Sequence, residues 1–170
     1  TMPTSFSPST VAIADVTGDG RNDVIFGASN SHVILFAQDE QGGLATAVTC
    51  TTTTSPSSVS VGDVNNDGKN EIVAGNGMDS IDILSYSGAG TLISLATYTS
   101  ANTLLIRIAD LNNDGLLDVV GIGWGTDSAD VFLQNAKGTL DPPITYTVSH
   151  GGWDDLEIGA SNNDGLVDII

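Results

Sequence analysis

The sequence predicts an all-β chain assembled from one four-stranded antiparallel unit used repeatedly, and three observations carry that prediction. The first is a recurring motif: "IADVTGDGRNDVIFG" from Ile13, "VGDVNNDGKNEIVAG" from Val61, "IADLNNDGLLDVV" from Ile108 and "IGASNNDGLVDII" from Ile158. Its central pairs, Asp19-Gly20, Asp67-Gly68, Asp114-Gly115 and Asp164-Gly165, lie 48, 47 and 50 residues apart, and an even period marks one structural unit repeated. The second is that every motif is flanked by short apolar runs rich in β-branched residues, which read as strands around a hairpin loop. The third is the lack of any helical periodicity longer than about two turns.

Taken in order, strands are predicted at 11–13 and 24–26 around the first loop, and at 59–61 and 72–74 around the second. The third loop has 105–108 and 119–120, and the fourth 156–158 and 169–170. Two further strands complete each full unit: 32–37 and 45–51, 80–85 and 92–99, 129–134 and 144–148, separated by the turns "QGG", "SGAG" and "NAKG". Four strands in about 48 residues is the size of a propeller blade. The blades fall at 11–58, 59–104 and 105–155, with the first two strands of a fourth at 156–170 and a lead-in or the end of a preceding blade at 1–10. Several of the first three strands are almost continuously apolar, as expected of strands covered on both faces between neighbouring blades.

A chain of 170 residues is long enough for one respectable core. Four Lys and Arg against 21 Asp and Glu leave a formal charge of −17, which excludes nucleic acid and anionic membrane surfaces as partners. No apolar run is long enough to insert into a membrane. The acid is concentrated: eleven of those 21 residues lie inside the four loops. Cys50 is the only cysteine, so no internal disulfide forms and bound metal is a candidate stabiliser. The N-terminal "TMPTSFSPST" lacks the segments of a signal peptide, so either a leader has been removed or the chain is an excerpt.

The loops carry the chemistry. Numbered from Asp110, positions one, three, five and nine of the third loop are Asp110, Asn112, Asp114 and Asp118, with Gly115 at six to let the backbone reverse. Carboxylates about 4 Å apart repel by roughly 4 kcal/mol per pair at an effective dielectric near 20, so they are either splayed into water or neutralised. Side chains at one, three, five and nine, with the carbonyl of Leu116 at seven, form a shell of hard oxygens that suits calcium better than magnesium or zinc. The first loop offers Asp15, Thr17, Asp19, the Arg21 carbonyl and Asp23; the second offers Asp63, Asn65, Asp67, the Lys69 carbonyl and Glu71. The fourth has Ala160 at position one, leaving Asn162, Asp164, the Leu166 carbonyl and Asp168, and is expected to be weak or empty. An EF-hand is excluded, because position twelve is Phe26, Ala74 or Gly121, inside a strand, rather than an acid before a helix. Any one such loop is also an ordinary Asp-Gly hairpin turn; three with the same acid spacing favour metal.

"DVNNDGKNEIVAG" and "DLNNDGLLDVVGIG" resemble the FG-GAP/VCBS repeats of integrin α-subunit-like β-propellers, with their D-x-[DN]-x-D-G-x-x-[DE] calcium loop, and Phe26-Gly27 supplies the Phe-Gly of the name. The resemblance covers all four loops. It implies calcium in the loop between strands one and two of each blade, ligand binding on the opposite face, and closure with seven blades. About 3.5 blades are present, so the chain is expected to be a segment of a longer chain or a partial ring completed by another copy of itself.

Trp124, Trp153, His32 and His150 fall in loops predicted on the face opposite the calcium loops. Flat aromatics there suit stacking on a sugar or anchoring a protein, and equally suit covering strand ends. The leading expectation is an extracellular, cell-surface or periplasmic calcium-binding module for adhesion or for protein or glycan binding, since weak sites need millimolar calcium. A structural repeat unit of a surface or filamentous assembly, and a propeller belonging to a polysaccharide-active enzyme, are the alternatives. No nucleophile elbow or zinc motif is found, so the chain itself is expected not to be an enzyme.

Overall fold

The computed structural model describes residues 6–77, 79–100, 103–123, 127–147, 155–162, 164 and 166–170. The first sheet is β1 (Pro8–Ala14), β2 (Asp23–Ala28), β3 (His32–Phe36) and β4 (Val48–Thr51), paired antiparallel in that order. The second repeats it with β5 (Ser58–Gly62), β6 (Glu71–Gly75), β7 (Ser80–Tyr86) and β8 (Leu92–Thr99). In the third, β9 (Leu105–Ala109), β10 (Asp118–Ile122) and β11 (Ser128–Phe132) lead through a small hairpin, β12 (Gln134–Asn135) and β13 (Thr139–Leu140), to the outer strand β14 (Ile144–Thr147). A last hairpin pairs β15 (Ile158–Gly159) with β16 (Asp168–Ile169). The chain is therefore all-β, built of four-stranded blades.

The strand boundaries differ from the sequence reading in three places. Pro8 to Thr10 do not end an earlier blade but belong to β1, with Thr10 opposite Gly27 and Pro8 opposite Ala28 across an irregular step. The outer strand of the first blade starts at Val48 rather than at residue 45, because Gln38 and Leu44 bridge the preceding segment into a separate turn. The "NAKG" turn of the third blade is held by its own hairpin, β12–β13, which lets Leu140 turn into the core.

Burial follows position in the blade. β6 and β10 are buried along their whole length, whereas the outer strand β14 is exposed throughout. Hydrophobic clusters form between blades: Val59 joins Val16, Ile25, Val33 and Leu35 of the first blade. Ile106 likewise joins Val64, Val73, Ile81 and Ile83 of the second, and Leu156 joins Val120, Ile122 and Val131 of the third. Each of these three residues stands four before position one of its own loop, so every blade inserts the same register position into the blade before it. Burying each side chain stabilises the stack by about 1.5–3 kcal/mol.

A buried acid reinforces the first two junctions. Asp82 on β7 accepts hydrogen bonds from the Thr53 N–H at 2.7 Å, the Thr53 hydroxyl at 2.8 Å and the Thr97 hydroxyl at 2.6 Å. Asp130 on β11 accepts from the hydroxyls of Ser100, at 2.7 Å, and Thr145, at 2.6 Å. Thr53 and Ser100 each follow the outer strand of the preceding blade, so the acid pins the chain where it crosses between blades. The first blade has Ile34 at this register and packs it with Ala28 and Phe36 instead. Asp82→Ala is expected to cost about 3 kcal/mol, the price of leaving buried donors unpaired, with Asp82→Asn intermediate; urea denaturation of the two variants checks the ranking.

Candidate metal centre

Strand register places the loops. Ala14 pairs with Asp23, Gly62 with Glu71, Ala109 with Asp118 and Gly159 with Asp168. Position nine is thus the first residue of the second strand, and position one follows the last residue of the first. Asp23, Glu71 and Asp118 are fully buried at the loop base, while Asp19, Asp67 and Asp114 at position five are exposed at the rim. Glycine at six has positive φ, between 83° and 87° in Gly20, Gly68 and Gly115, the conformation that turns the chain back.

Loops two and three share one hydrogen-bond plan. Asp63 accepts the N–H groups of Asp67 at 3.1 Å and Gly68 at 2.8 Å on its two carboxylate oxygens, and Asp110 does the same with Asp114 and Gly115. The side-chain oxygens of Asn65 and Asn112 accept from Asp67 and Asp114 at 2.9 Å. Asp67 and Asp114 in turn accept the N–H groups of Lys69 and Leu116, which aligns position seven. In loop one, Asp15 accepts from Gly18, Asp19 and Gly20, and Asp19 pairs with the Arg21 guanidinium at 2.5 Å. A carboxylate offers about four acceptor positions, so these contacts orient the oxygens and leave lone pairs over. Among the described residues, no three His, Cys, Asp and Glu side chains stand in metal-holding geometry. The carboxylates at positions one and five are turned onto loop N–H groups instead, which relieves their mutual repulsion.

Position nine separates the loops. Asp23 accepts from Val16 and Thr17 at 3.0 Å and from Gln38 at 2.9 Å; Asp118 accepts from Leu111 at 2.9 Å and Gln134 at 2.8 Å. Glu71, one methylene longer, is fully buried, and its carboxylate oxygens make no well-formed hydrogen bond, only weak approaches from the Val64 N–H and the Ser85 hydroxyl. Burial, followed by the charges of Asp67 and Asp63, pushes its pKa up to about 7, against the weaker pull of the Val64 N–H and the Ser85 hydroxyl. The Thr17 hydroxyl at position three of loop one is also buried without a well-formed hydrogen bond, approaching only the Asp15 carboxylate. Buried oxygens without well-formed hydrogen bonds are costly, and here they sit at positions where a hard cation would take oxygen donors, so the residues present fit calcium.

In loop four Asp168 is occupied otherwise. With Ala160 at position one, the Ser161 N–H and hydroxyl reach Asp168 at 2.8 and 2.7 Å and Asn162 donates to its other oxygen at 3.3 Å. The Ser161 contacts hold its pKa below the usual carboxylate range. Asp164 accepts from Leu166 at 2.8 Å, as position five does from position seven in loops two and three. Of the opposite-face candidates, Trp124, Trp153 and His150 lie outside the described residues. His32 stacks obliquely on Phe6, with ring centroids 4.7 Å apart, and its Nδ1 contacts the Asn30 carbonyl at 2.5 Å, which is local packing.

Without metal, Glu71 makes stability depend on pH. Its folded pKa, about 7, exceeds the ordinary 4.5, so its contribution is complete below pH 4.5 and is lost as pH rises through 7. Asp118, raised chiefly by burial, slopes the same way. For Asp15 burial is outweighed by the N–H groups of Gly20, Gly18 and Asp19, so its lowered pKa stabilises above 3.8 and the effect is lost as pH falls. Calorimetry in EDTA is expected to show a melting temperature that declines between pH 4.5 and 7, and Glu71→Gln is expected to flatten that decline.

The blades and their acidic hairpins define a β-propeller type of repeat protein in outline, and comparison with known proteins supplies the family. The family model described as FG-GAP-like repeat matches at residues 15–74, 63–121 and 110–170. The chain belongs to the FG-GAP-like repeat family. No curated protein matches it in sequence. Among solved structures, a chain of the Photorhabdus luminescens Tc holotoxin pore is similar at 15% identity and TM-score 0.47, over 99% of this chain and 11% of that one. A chain from the crystal structure of BBS1N in complex with ARL6DN is similar at 10% identity and TM-score 0.44, over 87% of this chain and 58% of that one.

Proposed function

We propose that the chain is a calcium-binding propeller module of the extracellular, cell-surface or periplasmic space, whose calcium is structural and whose task is adhesion or the binding of a protein or glycan. The observation that carries the calcium reading is Glu71, a buried carboxylate without a well-formed hydrogen bond, beside the charges of Asp67 and Asp63. Asp15, Thr17, Asp19, Asp23 and the Arg21 carbonyl would hold one ion. Asp63, Asn65, Asp67, Glu71 and the Lys69 carbonyl would hold a second, and Asp110, Asn112, Asp114, Asp118 and the Leu116 carbonyl a third. Bound calcium would neutralise the crowded carboxylates and lock each hairpin; the residues suggest no catalytic step. Isothermal titration is expected to find three sites with Kd around 10⁻⁴–10⁻³ M, and Asp63→Ala/Glu71→Gln to remove one of them. A stoichiometry unaffected by that double substitution would exclude loop two from the sites.

A second reading, a repeat unit within a larger assembly, is favoured by one surface. Val11 is 56% exposed, whereas its equivalents Val59, Ile106 and Leu156 are each buried in the preceding blade. Ile13 beside it is 67% exposed. That face has the register to receive another blade of the same kind. Analytical ultracentrifugation of the chain and of Val11→Asp tests it: self-association that the substitution abolishes supports assembly, and a monomer in both leaves the first reading alone.

A further inference from the structure

Two side-chain amides outside the donor set tie the loops of neighbouring blades together. Asn70, at position eight of loop two, donates from Nδ2 to the main-chain carbonyl of Asp15, position one of loop one, at 2.7 Å. Gln134, following β11, donates from Nε2 to the main-chain carbonyl of Asp63, position one of loop two, at 3.3 Å. The same backbone atom is thus gripped from the next blade at two successive junctions. Gln134 also gives its main-chain N–H to Asp118 at position nine of loop three, at 2.8 Å.

These contacts join groups that face one ion to groups that face the next. Asn70 stands between the Lys69 carbonyl and Glu71, both assigned donors of loop two, while its own side chain steers the peptide that carries Asp15. Gln134 is buried, and one residue contacts both Asp63 of loop two and Asp118 of loop three. The tip of the β12–β13 hairpin closes the same junction: Gly138 lies so close to the Asn65 carbonyl that a side chain there would collide with it. Position eight of loop three is Leu117, which cannot donate a hydrogen bond. It packs toward Gly62, 3.2 Å from where a Cβ would stand, and Gln134 takes over the polar contact.

We propose that calcium binding is coupled between adjacent blades through Asn70 and Gln134, so that filling loop two raises the affinity of loop one and filling loop three raises that of loop two. The proposal rests on the calcium reading above. An ion in loop two fixes residues 69–71, which removes freedom from Asn70 and hence from the position-one residue of loop one. Linkage makes the effect reciprocal. One hydrogen bond whose order depends on occupancy corresponds to a change in affinity of about fivefold. Asn70 and Gln134 are positioning residues and are assigned no contact with the ion.

The test is a titration of the 170-residue chain with calcium alone, followed by amide NMR, in which Gly20, Gly68 and Gly115 report loops one, two and three separately. Disabling loop two with Asp67→Asn/Glu71→Gln is expected to raise the calcium midpoint about fivefold at Gly20, through Asn70, and by reciprocity about fivefold at Gly115, through Gln134. Asn70→Ala is expected to raise the Gly20 midpoint similarly, and to add little when combined with the disabled loop. A bond that only braces the fold would weaken loop one equally in both backgrounds, so additive effects overturn the coupling. An unchanged Gly20 midpoint with loop two disabled also overturns it, and leaves the calcium sites standing. Absence of any shift at all three glycines at about 10 mM calcium overturns the calcium reading together with the coupling. Gln134→Ala repeats the test between loops two and three, and amide dispersion in EDTA shows that each variant is folded.

Discussion

Removing calcium with EDTA is expected to lower the melting temperature by about 8–16 °C. Sites with Kd of 10⁻⁴–10⁻³ M, at tenfold excess of ion, each contribute about 1.4 kcal/mol by mass action. Three sites together contribute about 4 kcal/mol, and for a chain of this size each kcal/mol moves the midpoint by about 2–4 °C. The effect is a sizeable share of a typical ~5–15 kcal/mol. Its cause is local: without the ion, Glu71 lies buried with only weak hydrogen bonds beside Asp67 and Asp63. Magnesium is expected to restore less, because its rigid octahedral demand suits a loop of mixed side-chain and carbonyl donors poorly. Scanning calorimetry in calcium, magnesium and EDTA measures all three, and an identical melt in calcium and EDTA would remove calcium from the account of stability.

Gly75→Val is expected to cost about 3 kcal/mol or more. A Cβ on Gly75 would stand 2.5 Å from Ile106 Cδ1 and 2.8 Å from the Thr103 carbonyl. Neither can retreat. Ile106 is fully buried in the cluster between the second and third blades, and the Thr103 carbonyl accepts the Gly77 N–H at 2.9 Å. Two larger methyl groups would therefore force the blades apart. Gly27 and Gly121 occupy the corresponding stretch of β2 and β10, and a Cβ at either would also collide, at 2.6 Å with Thr10 and 2.5 Å with Thr103. Gly159→Ala is the control, because its Cβ would meet nothing closer than 3.9 Å; it is expected to change stability by no more than about 0.5 kcal/mol. Urea denaturation of the two variants should separate them by well over 1 kcal/mol, and a similar loss in both would show that blade contact is not what restricts Gly75.

The blade pattern was legible in the sequence because its signals are local. Strands such as 72–74 and 119–120 announce themselves by β-branched runs, and the turns by Asp-Gly pairs, all within a dozen consecutive residues. The acidic composition of the four hairpins was legible for the same reason, as was the Ala160 that breaks it in the fourth. Local pattern misplaced the start of β1, because Pro8 to Thr10 carry no strand signal and join the sheet through pairing with Gly27 and Ala28. Loop composition also left undecided how Glu71 and Asp23 would differ. The extra methylene carries Glu71 away from the hydrogen bonds that satisfy Asp23.

The sequence by itself determined the repeat, the strand order within each blade, and the acidic residues of each hairpin. These depend on alternation and turn spacing along neighbouring residues. Only the tertiary structure decided that Asn70 grips Asp15, that Gln134 bridges Asp63 and Asp118, that Asp82 latches Thr53, and that Gly75 yields space to Ile106. Apart from the contact of Gln134 with Asp118 inside the third blade, these pairs join residues from different blades. Distances of that kind are set by the packing of one sheet on the next, which places side chains from well-separated parts of the chain within a few ångströms of each other.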